Sequence, residues 1–146
     1  MTVDDPVRKK VPTDLSARLV RAWEPVFREF PTVVAAYLYG SAAEGQPARD
    51  LDVGIVVGAT PLPLALRGSL ARRLADTSPI DLPIDLRELD EEDAVFDMEV
   101  LRRGMRLYEA NRDDRAMFEA TVFSRYQDIA PEVEKLRQAM AQRLLT

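Results

Sequence analysis

The 146-residue sequence contains neither cysteine nor histidine. Without Cys it forms no disulfide, offers no thiolate nucleophile and holds no iron–sulfur cluster or Cys-ligated zinc. Without His it lacks the commonest general base and the commonest ligand of zinc and non-haem iron. A bound metal would have to be held by carboxylates, carbonyls and water, a donor set suited to a hard ion such as Mg²⁺ or Mn²⁺. Long apolar runs are also missing. The longest, around residues 33–38, has the length of a buried strand and not of a bilayer span. The first residues carry charges with no apolar stretch behind them, which argues against a secretory signal and sets the expectation of a cytoplasmic protein. Lysine is scarce, with 3 Lys against 17 Arg, and the net charge is -5. That balance argues against direct nucleic-acid binding, and Arg favours forked, bidentate pairing.

What is present is an ordinary globular composition, 47% hydrophobic, long enough for one domain. A flexible tail is expected over 1–13 and a single domain over 14–146. Leu15, Leu19, Ala22, Val26 and Phe30 recur at helical spacing and predict a helix over 15–29, capped by Thr13 or Asp14 and kinked or broken at Pro25. The β-branched and aromatic run 33–39 predicts a core strand. A turn or short helical link then leads to a second strand over 51–57. A helix is expected over 63–76, a strand over 83–87, a helix opened by the acidic run at 90–93, and a strand over 105–109 after Gly104. Two helices, near 112–128 and 131–144, close the chain, the second opened by Pro131. This order predicts an α/β (α+β) domain: a small sheet, mixed or mostly antiparallel, covered by helices. The short link between the first two strands suits a hairpin-like pair.

Chemistry concentrates in YLYGSAAEGQPARDLDVGIVV. Asp50 and Asp52 stand two apart at the start of a predicted strand, so both side chains leave one face, about 6.5–7 Å apart along the chain. Two acids so placed repel unless a cation or a basic partner lies between them. An isolated Asp-x-Asp is more often a solvated acidic edge. Here, however, Gly40–Ser41 directly follows one strand and the two acids directly precede the next. Pairing of those strands sets the Gly-Ser turn beside the carboxylates. Gly40 permits close backbone approach to a ligand, and the Ser41 hydroxyl with nearby N–H groups can hold phosphate oxygens. A third acid at the same sheet end would allow two divalent ions, about 3.5–4 Å apart, to orient a nucleoside triphosphate and stabilise a leaving pyrophosphate. Asp81 and Asp85 both qualify, because PIDLPIDL repeats itself. Pro83 places Asp85 inside the strand and Asp81 in the loop before it.

The run Gly40-Ser41-x-Ala43-x-Gly45 followed by Asp50-x-Asp52 resembles the signature of the minimal nucleotidyltransferases, small members of the polymerase-beta-like nucleotidyltransferase superfamily. The resemblance extends over nearly the whole chain. VLRRGMRLYE at 100–109 is similar to the family's closing segment, and Gly104 stands nineteen residues after Asp85, the spacing of the family's third carboxylate. The resemblance therefore assigns Asp85. It implies a polymerase-beta-like fold with Asp50, Asp52 and Asp85 as catalytic, metal-binding residues for two Mg²⁺ ions (or Mn²⁺). It implies ATP as substrate, with Gly40 and Ser41 at the phosphates. Ala42 and Arg49 replace an Arg and a Ser common in the family, and Arg49 or Arg67 is expected to supply the missing phosphate contact. It further implies a HEPN-type ribonuclease toxin as partner, with AMP transferred to its hydroxyl, a tyrosine. A non-catalytic antitoxin and a small-molecule nucleotidyltransferase are the rival expectations. Trp23, Phe27 and Phe30 are expected in the core, and Arg102, Arg103 and Arg106 on a solvated face or in ion pairs with the acids at 90–99, ahead of a triphosphate or toxin contact.

Overall fold

A computed structural model describes residues 8–145. Four strands form one sheet: β1 (Val33–Tyr39), β2 (Leu51–Val57), β3 (Ile84–Glu88) and β4 (Met105–Glu109), in the order β3-β2-β1-β4. β1 is antiparallel to both β2 and β4, whereas β3 runs parallel to β2. The helices are α1 (Leu15–Arg28), the single turn α2 (Gly40–Ala43), α3 (Leu64–Thr77), α4 (Ala94–Arg103) and α5 (Arg112–Leu145).

Alternation along the strands sends side chains into two cores. Val33, Ala36 and Leu38 of β1 join Leu51, Val53 and Ile55 of β2 under α1 and α3, with Leu19, Trp23, Phe27, Leu70 and Leu74. Ala35, Tyr37 and Val56 face the other way, against Val100 of α4 and Phe118 and Val122 of α5. Trp23 is fully buried, and its indole N–H donates to the Leu74 carbonyl at 3.0 Å, which ties α1 to α3. Phe27 stacks on Tyr108 of β4 at 5.1 Å. The aromatic residues of α1 are core, as expected, and Phe30 is buried just beyond the end of that helix.

Four details differ from the sequence expectations. α1 runs unbroken through Pro25. Asp14 occupies its N-cap without capping it, and its carboxylate instead accepts from the Arg18 side chain at 3.0 Å. The two expected C-terminal helices are one helix of 34 residues with Pro131 inside it. Proline's fixed φ suits a helix. What it removes is one N–H donor to the carbonyl four residues back. Both Pro131 and Gln127 are exposed, so water can take that carbonyl's bond. Part of the expected tail, residues 1–7, lies outside the described residues. Lys9 exchanges two backbone hydrogen bonds with Ala48, at 2.8 and 2.9 Å.

The acidic run at 90–93 precedes α4 instead of forming its first turn. Asp90 Oδ1 accepts the N–H groups of Glu92 and Asp93, and Asp93 caps the helix by accepting from the Phe96 N–H at 3.2 Å.

Candidate active site

The sheet positions the acids. Along β2, Leu51, Val53 and Ile55 enter the core beneath α1 and α3, so Asp52 leaves the opposite face. Along β3, Ile84 and Leu86 pack on that same core, which turns Asp85 and Arg87 to the face shared with Asp52. Cross-strand register completes the placement. Asp52 is the direct partner of Tyr39 on β1 and of Asp85 on β3. Asp50 stands just before β2. One carboxylate oxygen from each of Asp50, Asp52 and Asp85 lies within 4.8 Å of the others. Asp50 and Asp52 are partly buried and Asp85 is exposed. Asp81, the alternative third acid, lies in the loop before β3. Its backbone carbonyl accepts from Lys9 Nζ at 2.7 Å, and its carboxylate lies 3.6 Å from the same ammonium.

The β1–α2 turn borders this group. The chain reverses at Gly40 with φ +76°, and a Cβ at that position would run into Asp52 Oδ2. Both facts require glycine: the backbone is left-handed, and the carboxylate occupies the space of a side chain. Ser41 follows in the first turn of α2, partly buried. Arg49 is exposed in the bend beside Asp50. Arg67 is committed elsewhere, with its guanidinium 2.8 Å from Glu88 Oε2. Arg103 lies 3.4 Å and Arg102 3.7 Å from Glu99, one of the acids expected to pair with them, and Arg103 also lies 3.8 Å from Glu44, outside that run.

Electrostatics at the site are strained in one direction. Burial, the charges of Asp50 and Asp85, and a hydrogen bond with Asp85 push the Asp52 carboxyl up to about 6. Burial and the charges of Asp52 and Asp85 push the Tyr39 hydroxyl up to about 12. The group thus carries more negative charge than its surroundings neutralise. Three carboxylates with no nitrogen or sulfur ligand fit a hard divalent cation such as Mg²⁺ or Mn²⁺.

Beside Tyr39, the wall next to the acids is made by Phe96 and Arg87, which the sequence reading did not include. Phe96, from α4, meets the Tyr39 ring edge-on at 5.4 Å. The Arg87 guanidinium stands 3.7 Å over the Phe96 ring and reaches Asp93 at 3.4 Å. Strand alternation could have placed Arg87, two residues after Asp85. No local pattern marks Phe96, which tertiary packing brings in. Tyr37, the other tyrosine of β1, donates its hydroxyl to Glu119 on α5 at 2.7 Å and belongs to packing.

Comparison with known proteins agrees with this architecture. The pattern of the family described as polymerase beta, nucleotidyltransferase, matches residues 23–113, a span that contains all four strands and the three acids. The chain is 32% identical over 103 residues to protein adenylyltransferase MntA of Shewanella oneidensis, covering 70% of this chain and 72% of that protein. Two solved structures superpose on 90% of the chain with TM-score 0.61. One is a toxin–antitoxin structure with AMP-PNP, at 25% identity and 98% coverage of its own chain. The other is a tri-AMPylated Shewanella oneidensis HEPN toxin in complex with MNT antitoxin, at 24% identity and 99% coverage, a likeness of fold. With the matched span enclosing both the sheet and its acid cluster, the chain belongs to the polymerase-beta nucleotidyltransferase family.

Proposed function

We propose that this protein is an antitoxin that transfers AMP from ATP to a tyrosine hydroxyl of a HEPN ribonuclease toxin. The observation that carries the reading is the convergence of Asp50, Asp52 and Asp85 beside the Gly40 turn, in a chain related to a protein adenylyltransferase. In the reaction the acceptor oxygen bonds to the α-phosphorus, the α–β bridging P–O bond breaks, and pyrophosphate leaves. Asp50, Asp52 and Asp85 would hold Mg²⁺, which when bound neutralises triphosphate charge and lowers the pKa of an attacking hydroxyl. The Gly40–Ser41 turn would bring backbone N–H groups to the phosphates, and Arg49, exposed in the bend beside Asp50, would supply a cationic contact to them. Asp85 is the exposed member of the three, so it is the carboxylate an incoming hydroxyl meets first and the one suited to take its proton. Neither Arg67 nor the Arg102–Arg103 pair joins this group.

Intact-mass measurement of the partner toxin, mixed with ATP, Mg²⁺ and this protein, tests the reading. The toxin should gain one or more AMP units. Asp52→Asn keeps the side-chain volume and removes one of the charges that hold the cation, so transfer should fall by about 10²–10⁴-fold. A toxin that is fully inhibited yet unmodified in mass would transfer the reading to neutralisation by contact.

A further inference from the structure

α4 presents two faces to two different cavities. Met98, Leu101 and Arg102 line the larger one, which shares no residue with the acids or with the Gly40–Ser41 turn. Phe96, Glu99, Val100 and Arg103 fall at i, i+3, i+4 and i+7, one stripe of the helix, and line a smaller cavity of about 190 Å³. Its other wall comes from the end of β1 and from the α2 turn, with Tyr39, Gly40 and Glu44. Two of these residues already border the acids. Tyr39 is the cross-strand partner of Asp52, and Gly40 lies against the Asp52 carboxylate. The smaller cavity therefore shares a wall with the acid cluster.

Size and lining suit one end of a ligand. A site that encloses a whole small molecule takes roughly 300–1,000 Å³. This cavity is smaller, so it accepts a single ring system whose remainder lies outside. The Tyr39 and Phe96 rings stand at 89° with centroids 5.4 Å apart, so a flat heterocycle between α2 and α4 would stack on one and meet the other edge-on. Val100 adds buried aliphatic surface, and the Arg87 guanidinium 3.7 Å over the Phe96 ring holds that ring in place. The rim is polar. Arg103 bridges α2 and α4, 3.8 Å from Glu44 and 3.4 Å from Glu99, and all three side chains reach solvent. Carboxylate oxygens beside guanidinium N–H groups set acceptors next to donors. That is the complement of a base edge on which an exocyclic amine adjoins a ring nitrogen, as in adenine.

We propose that this cavity is the nucleobase subsite of the protein, holding the adenine of ATP while the triphosphate lies at the Gly40–Ser41 turn and the three acids. In this assignment, which rests on the proposed use of ATP, Tyr39 and Phe96 supply stacking, while Glu44, Glu99 and Arg103 read the base edge.

Calorimetry of the intact protein with Mg²⁺ separates base from phosphates, with ATP, UTP and inorganic tripolyphosphate as ligands. ATP should bind about tenfold or more tighter than tripolyphosphate, the worth of stacking one base. It should also bind tighter than UTP, whose base carries no exocyclic amine. Glu99→Trp should fill the cavity from a position that reaches solvent, bringing ATP down to the affinity of tripolyphosphate and leaving tripolyphosphate unchanged. Phe96→Ala should do the same by removing a ring, with thermal unfolding as the check on its fold. On illumination, 8-azido-ATP should label the segments 39–44 or 96–103. Tripolyphosphate or UTP that binds as tightly as ATP overturns the subsite, as does a Glu99→Trp variant that weakens both ATP and tripolyphosphate alike or neither. Label confined to other segments also overturns it, and each of these results leaves the triphosphate reading standing. Failure of both ATP and tripolyphosphate to bind overturns that reading, and the subsite with it.

Discussion

Gly40 and Asp52 constrain each other. The left-handed turn at Gly40 lets the backbone leave β1 beside Asp52, and the Asp52 carboxylate fills the space that a methyl group would need. Gly40→Ala should therefore lower stability by about 1–3 kcal/mol, from the φ penalty and from displacing a partly buried carboxylate. AMP transfer should fall further than stability, since the displaced group is one of the three that converge. Denaturant melts set beside toxin-mass assays check this, and a variant with full transfer would sink the proposed role of the turn. At this scale the sequence was readable where chemistry made a residue odd for its place. Two aspartates opening an apolar strand, and Gly-Ser closing another, are such residues. The repeated PIDLPIDL alone does not choose between Asp81 and Asp85; Pro83 at the strand start and the nineteen-residue step to Gly104 point to Asp85. What separates them in space is the parallel register of β3 on β2, which sets Asp85 beside Asp52 while Lys9 engages Asp81. Register of a parallel pair is a long-range property and leaves no trace in a short window.

At the scale of elements, α4 links the acidic loop to the wall of the site. Its N-cap, Asp93, accepts from the Phe96 N–H and stands near the Arg87 guanidinium that covers the Phe96 ring. Asp93→Ala should cost about 1 kcal/mol through the lost cap. It should also loosen the Arg87–Phe96 stack against Tyr39, so KM for ATP should rise more than the melting temperature falls. An unchanged KM with a lowered melting temperature would confine Asp93 to capping. The strands and the first four helices were legible because alternation, glycine and proline punctuate them. The two misreadings at proline share one cause. Pro25 and Pro131 both sit on exposed turns, where the lost backbone hydrogen bond can be replaced by water, so neither ends its helix. A proline rule applied from sequence has no access to exposure. The acidic run at 90–93 was legible as a helix-starting signal, but its side chains satisfy N–H groups before the helix as well as at its cap, which moves the first helical residue to Ala94.

For the whole molecule, the acids outweigh the bases, and two of them are held above their ordinary range. Asp52 is pushed up to about 6 and Asp97 to about 7, the latter by its own burial and by the charges of Asp90 and Asp93, against the opposing Arg87. Asp97 is 1% exposed, and its Oδ2 has no hydrogen-bond partner. An acid whose folded pKa exceeds its unfolded value binds more protons folded than unfolded between the two, so stability falls as pH rises through that interval. The melting temperature should therefore climb as pH drops from 8 to about 5. Below about 4 the trend should reverse, as Glu109, held low by its hydrogen bond from Arg115, is protonated. The two raised groups are separable. Mg²⁺ should suppress the Asp52 part of the slope, because a cation among the three carboxylates favours their charged forms. Asp97→Asn should remove the other part with or without Mg²⁺. Differential scanning calorimetry across pH, with and without Mg²⁺, reads both. A melting temperature flat between pH 8 and 5 would show that neither carboxyl is raised. A slope that persists undiminished in Mg²⁺ and vanishes in Asp97→Asn would place the whole effect at α4, with no cation among Asp50, Asp52 and Asp85.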